Sequence, residues 1–499
     1  MLEKSMLYAI PDRLRAWSTG PQRRSSGSVA LPPPLPRVPF EDPPNREFMK
    51  GTAALVSVLA LLLGASASAV DGPGVQDPSE VAQRIESLQK ALQQLQHELD
   101  ELRAMAGIPP TPAPVVDEPV APPLPPPPPP STGLEKINLW GYGEVYYMHP
   151  KEQGQAIQED LARAVFGIGY QFDEKTRFNS EFEVEHAVAS AVDPGEFEVE
   201  QFYVDRILSH GVSLRAGLFL IPAGLLNEHH EPTNFFGVQR NFVETLIIPS
   251  TWREGGLSVE GVTDSGFTWD LGLTTGLTLG SWEFSPAASP YQTAFELETT
   301  DVAPMQASHQ ELAFADARHL SEFGALNYRG VPGLSLGSSV FTGGMAPVPG
   351  APDDERVILF EGHARYQPGR FDLSAVYARG AFSHTAEANA LFPGATNPLP
   401  SVFDGYYVQA GYTAWQKESL KVAPFARFEH YNMGAGYEGL APGLMGPAPA
   451  PGFKAPHDSV FTAGANFYVH PGVVLKADYQ SFSTNADFSR FDFSLGLSF

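Results

Sequence analysis

Residues 137–147 read INLWGYGEVYY, in which Ile137, Leu139, Gly141, Gly143, Val145 and Tyr147 alternate with Asn138, Trp140, Tyr142, Glu144 and Tyr146. A period of two sends successive side chains to opposite faces of a β-strand. The same alternation recurs in segments of about ten residues up to the C-terminus, the length a tilted strand needs to cross a bilayer. In residues 178–188, Phe178, Phe182, Val184 and Val188 face one way and Asn179, Glu181, Glu183 and Glu185 the other. One face suits lipid and the other suits water. The last segment carries Phe491, Phe493, Leu495, Leu497 and a terminal Phe499 on one face.

Connection lengths sharpen this reading. Short connections fall at residues 173–175, 209–211, 263–266, 330–333, 368–369, 416–418 and 470–472. Longer ones lie near 148–160, 189–196, 221–254, 277–321, 344–355, 382–403 and 432–456, with a last shorter one near 483–487. The strands between them number about sixteen. An even number of antiparallel strands with short turns at one end and long loops at the other predicts an all-β transmembrane barrel of the outer-membrane type, since lipid tolerates no open sheet edge. Both termini then lie in the periplasm, and residues 135–499 form the barrel. A soluble β-sandwich shares the alternation but needs neither lipid-suited faces nor an export signal.

The stretch from Gly217 to Gly256 fits no strand and contains Pro232 and Pro249. A structureless insert of this length in a compact domain is uncommon and usually functional. Residues 221–254 therefore predict a loop folded into the pore, with Glu228, His229, His230, Glu231, Arg240, Glu244, Arg253 and Glu254 at the constriction. A surface lid is the alternative. The Glu228-His229-His230-Glu231 run offers groups that suit zinc. Adjacent loop residues rarely converge on one ion, so lining or bracing the constriction is the expected role. Arg240 and Arg253 are expected to face Glu228, Glu244 or Glu254 across the narrow part.

Upstream of the barrel, residues 1–48 are Arg- and Pro-rich without periodicity and read as disordered or as an over-long start. From Met49, MKGTAALVSVLALLLGASASAV has the basic start, apolar centre and small-residue cleavage sites of a secretory signal peptide spanning 49–69. Val81, Ile85, Leu88, Leu92, Leu95, Leu99 and Leu102 then make a heptad seam within 76–106, which predicts a self-associating coiled coil. A helix lying on its own barrel is the other reading. Residues 107–134 form a Pro-rich linker, semi-rigid and extended. These segments would project toward the cell wall.

Composition excludes several classes. The 499 residues include no Cys, which removes disulfides, thiolate metal sites and thiol nucleophiles. A formal charge of -25 opposes nucleic-acid binding, which needs a basic surface. Mean hydropathy is only -0.15, and no run of about twenty apolar residues marks a helical span. No G-x-S-x-G, H-E-x-x-H or P-loop motif supports an enzyme, and no cofactor is implied.

The motif G-x-F-x-x-P-x-G-x-x-N-E-x-H-x-P, followed by G-V-x-R-N and I-I-P-x-x-W-x-E-x-G, resembles the phosphate-selective porin O and P family. It is carried here by Gly217, Phe219, Pro222, Gly224, Asn227, Glu228, His230, Pro232, Gly237, Val238, Arg240, Asn241, Ile247, Ile248, Pro249, Trp252, Glu254 and Gly256. The likeness covers about 137 to 499. It implies a homotrimer of sixteen-stranded barrels in outer-membrane lipid, each narrowed by an inserted third loop, with an arginine ladder and a lysine cluster drawing anions. No lysine cluster is visible in this sequence.

By alternation the inward wall offers Arg163, Arg177, Arg215, Arg365, Arg427, Lys476 and Arg490, with Asp205, Glu361, Glu429, Asp478 and Asp492 close by to neutralise about half of them. Glu144, Glu181, Glu183 and Glu185 form an acidic stripe without such balance. Mixed or acidic walls argue for weak selectivity or cation preference. The expected function is a water-filled diffusion channel for small hydrophilic solutes or ions, anions such as phosphate included. The alternative is an envelope tether whose barrel anchors the coiled coil. Deleting residues 71–132 separates the two, since a porin keeps its conductance and a tether loses envelope integrity.

Overall fold

The computed structural model describes residues 134–189, 195–286, 303–447 and 452–499. The extension 1–48, the signal peptide 49–69, the coiled coil 76–106 and the linker up to residue 133 lie outside the described residues.

Eighteen hydrogen-bonded ribbons make one sheet. Two are accessory: Leu277–Thr278 pairs in parallel with Met345–Ala346, and Trp415–Lys417 prolongs the strand before it. The sixteen that remain form a closed antiparallel barrel. In order they are Ile137–Pro150, Gln158–Gln171, Thr176–Glu185, Phe197–Ser209, Val212–Leu220, Arg253–Val262, Phe267–Thr275, Leu320–Tyr328, Leu334–Ala346, Arg356–Tyr366, Phe371–Phe382, Pro400–Tyr412, Leu420–Tyr437, His457–His470, Val473–Phe482 and Arg490–Ser498. The first strand pairs with the last from Tyr142↔Ser498 to Pro150↔Arg490. Gly141 N–H donates to Phe499 O (3.1 Å) and Phe499 N–H returns a bond to Gly141 O (2.9 Å), so the terminal residue is stitched into the seam.

Short turns and long loops alternate along the chain as the sequence predicts. The tight turns depend on glycine where the backbone must enter the left-handed region, at Gly211 (φ 72°) and Gly369 (φ 64°). Strand faces follow the period of two. In the last strand Phe491, Phe493, Leu495 and Leu497 are exposed on the outside, while Arg490, Asp492 and Ser494 are buried inside. Phe166, Ile168, Phe202, Leu257, Tyr406, Val408, Phe461 and Leu475 continue the outward apolar belt around the barrel. Among the described residues no helix is long and apolar enough to cross a membrane.

One expectation needs correction. Gly217–Leu220 and Arg253–Gly256 are strand residues, paired from Gly217↔Gly256 to Leu220↔Arg253. Both faces of this stem are covered, so alternation vanishes there and the sequence hides the strand. Arg253 and Glu254 accordingly belong to the wall rather than to the loop.

Candidate functional site

The third long connection, residues 221–252, enters the barrel and stays there. Its second half is apolar, with Phe242, Val243, Leu246, Ile247, Ile248 and Trp252 fully buried against inward residues of strands nine to fifteen, among them Phe341, Leu359, Val376, Phe403, Tyr431 and Phe482. Trp252 meets Phe341 edge-on at 4.6 Å, and Phe242 contacts Tyr431 (5.5 Å) and Phe482 (5.3 Å). Burying each such side chain contributes roughly 1.5–3 kcal/mol. Within this half, Val243–Ile247 forms one wide helical turn. The loop is therefore a packed element, and it fills the lumen on the side of strands nine to fifteen.

Charged wall residues hold the rest of it. Val238 N–H donates to Asp478 (2.6 Å) and Phe242 N–H to Glu429 (2.6 Å), while Arg427 donates to Phe236 O (3.3 Å). Lys476 Nζ sits 3.5 Å from the centre of the Phe235 ring. Arg427 and Lys476, expected to face the pore, instead grip the loop. Further along, Tyr142 and His230 share a 2.6 Å hydrogen bond, and Arg163 donates to His230 O at 2.7 Å. Thr233 Oγ1 lies 2.9 Å from Ser498 Oγ, tying the loop to the final strand.

The brace predicted between arginines and carboxylates takes another form. Glu244 is buried and accepts bonds from the N–H of Leu226 (2.8 Å), Asn241 Nδ2 (2.8 Å) and the Tyr407 hydroxyl (3.0 Å). Glu254 accepts from Thr275 Oγ1 at 3.0 Å. Neutral donors do the bracing because both carboxylates are enclosed on sides that the arginines do not reach. Arg240 bonds Thr251 Oγ1 at 3.2 Å. Arg253 pairs with Glu198 and with Glu311 of the fourth long loop (2.9 Å). Glu228 and His229 are exposed, His230 is buried, and Glu231 accepts from Asn234 Nδ2 at 2.6 Å, so this quartet diverges.

Wall neutralisation goes further than about half. Arg177 opposes Asp205 (2.7 Å), Asp205 opposes Arg215 (3.0 Å), and Arg215 reaches Glu260 (3.0 Å), a ladder set by register across strands three to six. Arg427 with Glu429 (2.8 Å) and Arg490 with Asp492 (2.8 Å) are neighbours two apart on one strand face. Arg365 pairs with Asp372 (2.6 Å), and Glu144 leaves the acidic stripe by pairing with Arg163 (2.8 Å). Each of the six arginines thus has a carboxylate. Glu361 bonds His363 at 2.9 Å, and Glu181 accepts from Trp140 Nε1 at 3.2 Å.

Two cavities flank the loop. One, of about 490 Å³ and bordered by Leu225, His229, Arg329, Pro332, Arg365 and Gln367, opens beside the short turns. The other, of about 450 Å³, lies toward the long loops. It is lined by Asp160, Glu183, Glu185, Glu196, Glu198 and Glu311 against Arg163, Arg240 and Arg253, with Gln239, Gln306, His186 and His309 between them. Six carboxyl groups thus face three guanidiniums, and Asp160 among them pairs with His186 (2.8 Å), whose imidazole that bond holds above its ordinary value. Burial, reinforced by Arg253, holds the His309 imidazole down at about 4, so it adds no charge at neutral pH. Its hydrogen bond with Glu198, then burial and repulsion from Glu198 and Glu185, push Glu196 up to about 7.

Glu196 and Glu198 escaped notice in the sequence although the run Glu196-Phe197-Glu198-Val199-Glu200 repeats the alternation of 181–185. Pairing puts Glu198 directly opposite Glu183. Gln306 and Glu311 come from a long loop with no periodic signal. Above the pair Phe202↔Leu218 the fourth and fifth strands no longer bond to each other, and Arg253 reaches Glu198 there.

No family model matches the chain. A protein of Aquifex aeolicus (strain VF5), described as uncharacterized, is 29% identical over 357 residues, 69% of this chain and 75% of that protein. Among solved structures, Salmonella typhi OmpF in complex with daunomycin is 12% identical and covers 73% of this chain and 97% of its own, with a TM-score of 0.47. An anion-selective porin from Comamonas acidovorans is 12% identical, with coverage of 73% and 99% and a TM-score of 0.43. The outer membrane channel DcaP of Acinetobacter baumannii is 10% identical, with coverage of 73% and 97% and a TM-score of 0.41. All three likenesses are distant, and the barrel stands on its own strand pairing. Sixteen closed antiparallel strands, an outward apolar belt and an inserted third long loop make a porin-type architecture.

Proposed function

We propose that the chain is an outer-membrane diffusion channel for small hydrophilic solutes, with cations passing in preference to anions. The observation that carries this is the outer cavity, where six carboxyl groups stand against three guanidiniums and the Asp160–His186 pair at the entrance side of the inserted loop. A mouth of one net sign concentrates counter-ions and repels co-ions before the narrow part is reached. The apolar belt supports insertion in lipid, and the long loops then face outward. The motif resemblance supports a trimer and would make phosphate the solute. Engagement of Arg163, Arg177, Arg215, Arg365, Arg427 and Arg490 by carboxylates favours cations instead, since an arginine already neutralised attracts an anion weakly.

The test is the zero-current potential of the purified protein in a planar bilayer under a KCl gradient, with phosphate added afterwards. The expected result is potassium over chloride, no block by phosphate, and a shift toward equality in the double variant Glu183→Gln, Glu185→Gln. Chloride preference with phosphate block would overturn the cation assignment, and a protein without conductance would overturn the channel.

A further inference from the structure

The cavity beside the short turns, of about 490 Å³, differs in kind from the outer one. Leu225 and Leu226 of the inserted loop form one side of it, and Val331, Pro332 and Leu334 at the turn between the eighth and ninth strands form the other. No Asp or Glu is among its lining residues. Its charge comes from two arginines that differ in how they are engaged. Arg365 is held by Asp372 through two bonds (2.9 and 2.6 Å), and Asp372 also accepts from Gln367 at 2.8 Å. Arg329 is exposed, and among the described residues its guanidinium has no hydrogen-bond or ion-pair partner.

Both sides are fixed before anything arrives. Leu334 N–H closes the turn onto Val331 O (3.0 Å), Gln367 N–H joins it to the next short turn at Gly333 O (2.7 Å), and Arg329 N–H donates to Gly266 O (2.8 Å). On the loop side Glu244 accepts from the N–H of Leu226 at 2.8 Å. Small-molecule sites are preformed recesses of ~300–1,000 Å³, largely apolar with a few placed polar groups, and this cavity has that size and that lining. The lining also limits the ligand. One open guanidinium with no carboxyl group on the lining suits a single planar carboxylate, whose two oxygens match the guanidinium fork. Five apolar side chains suit an apolar body, to which an ion such as inorganic phosphate has no counterpart. An ammonium would meet guanidinium and the imidazole of His229 and no carboxylate.

We propose that this inner cavity binds small monocarboxylates with an apolar body, the class of benzoate and short-chain fatty acids, from the short-turn side. The carboxylate pairs with Arg329, and the apolar body lies between the inserted loop and the turn at residues 331–334. A bound ligand thereby joins the loop to the wall. Arg329 is not among the neutralised wall arginines, and the site does not depend on the channel reading.

Para-fluorobenzoate, para-fluorobenzyl alcohol and para-fluorobenzylammonium offer the anion, the neutral body and the cation on one ring. Binding is read from the fluorine NMR linewidth of each probe with the detergent-solubilised full chain, against micelles alone. Para-fluorobenzoate is expected to broaden saturably, with the alcohol about tenfold weaker, the ratio that loss of one charge-assisted bond produces, and the ammonium silent. Arg329→Gln should bring the benzoate down to the level of the alcohol and leave the alcohol unchanged, whereas Val331→Ser should weaken both. Circular dichroism of each variant reports that the barrel has folded. Alcohol binding as tight as that of the benzoate would overturn the proposal in favour of a plain apolar recess, and displacement of the benzoate by equimolar inorganic phosphate in favour of a plain anion site. Equal broadening of the ammonium, benzoate binding unchanged by Arg329→Gln, or no broadening of any probe would overturn it outright. None of these readouts needs current, so a protein without conductance in the bilayer sinks the channel reading and leaves this test standing.

Discussion

Truncating Glu244 should loosen the constriction without unfolding the barrel. The carboxylate collects the N–H of Leu226, the amide of Asn241 and the hydroxyl of Tyr407, all in a buried setting, and thereby joins three parts of the loop to the twelfth strand. Glu244→Ala leaves these donors without an acceptor, at about 1–3 kcal/mol each before water enters. Allowing for water reaching some of them, the loop loses on the order of 4 kcal/mol of local stability. Against this stands the apolar half, where Phe242, Leu246, Ile247, Ile248 and Trp252 remain buried and each contributes roughly 1.5–3 kcal/mol. The apolar half should therefore stay docked, and His230 stay tied to Tyr142 and Arg163, while the turn at residues 224–226 comes free. Single-channel recording should show a larger conductance with added open-channel noise, and Glu244→Gln, which keeps one acceptor, should fall between the variant and the parent. Conductance and noise identical to the parent would refute the idea that Glu244 sets the aperture.

Arg253→Ala should open a leak where the fourth and fifth strands part, because it removes the guanidinium shared by Glu198 and Glu311. Osmotic swelling of loaded liposomes should quicken for solutes that the parent excludes, and an unchanged exclusion limit would count against a sealing role. Glu196, held up to about 7, is neutral below that pH and charged above it, so the mouth gains negative charge as pH rises from 6 to 8. Potassium-over-chloride preference should climb across that interval, and Glu196→Gln should flatten the climb; a parent protein with no pH dependence would contradict the assignment.

The inserted loop shows how far local pattern reaches. Its prolines and its run of mixed charge without alternation marked it as an insert, and its position as the third long connection followed from counting turns. The helical turn Val243–Ile247 and the strand stem on either side were illegible. Both are covered on all sides, and full burial erases the contrast between faces that periodicity depends on. Wall arginines were legible as inward-facing, yet their partners were only half so. A pair two apart on one strand, such as Arg427 with Glu429, can be seen in the sequence, whereas Arg177 with Asp205 requires knowing which residues stand opposite each other.

Strand number, the alternation of short turns with long loops and the two-faced wall were determined by the sequence alone, because each follows from the two-residue period of a single strand and from turn chemistry local to a few residues. The tertiary structure decided which charges remain free to meet a solute. It set Glu198 beside Glu183, took Arg427 and Lys476 out of the pore to hold the loop, and brought Gln306 and Glu311 to the outer cavity from a distant loop. Net charge at a point depends on cross-strand register and loop placement, and those are settled by hydrogen bonding and packing between segments far apart in the chain.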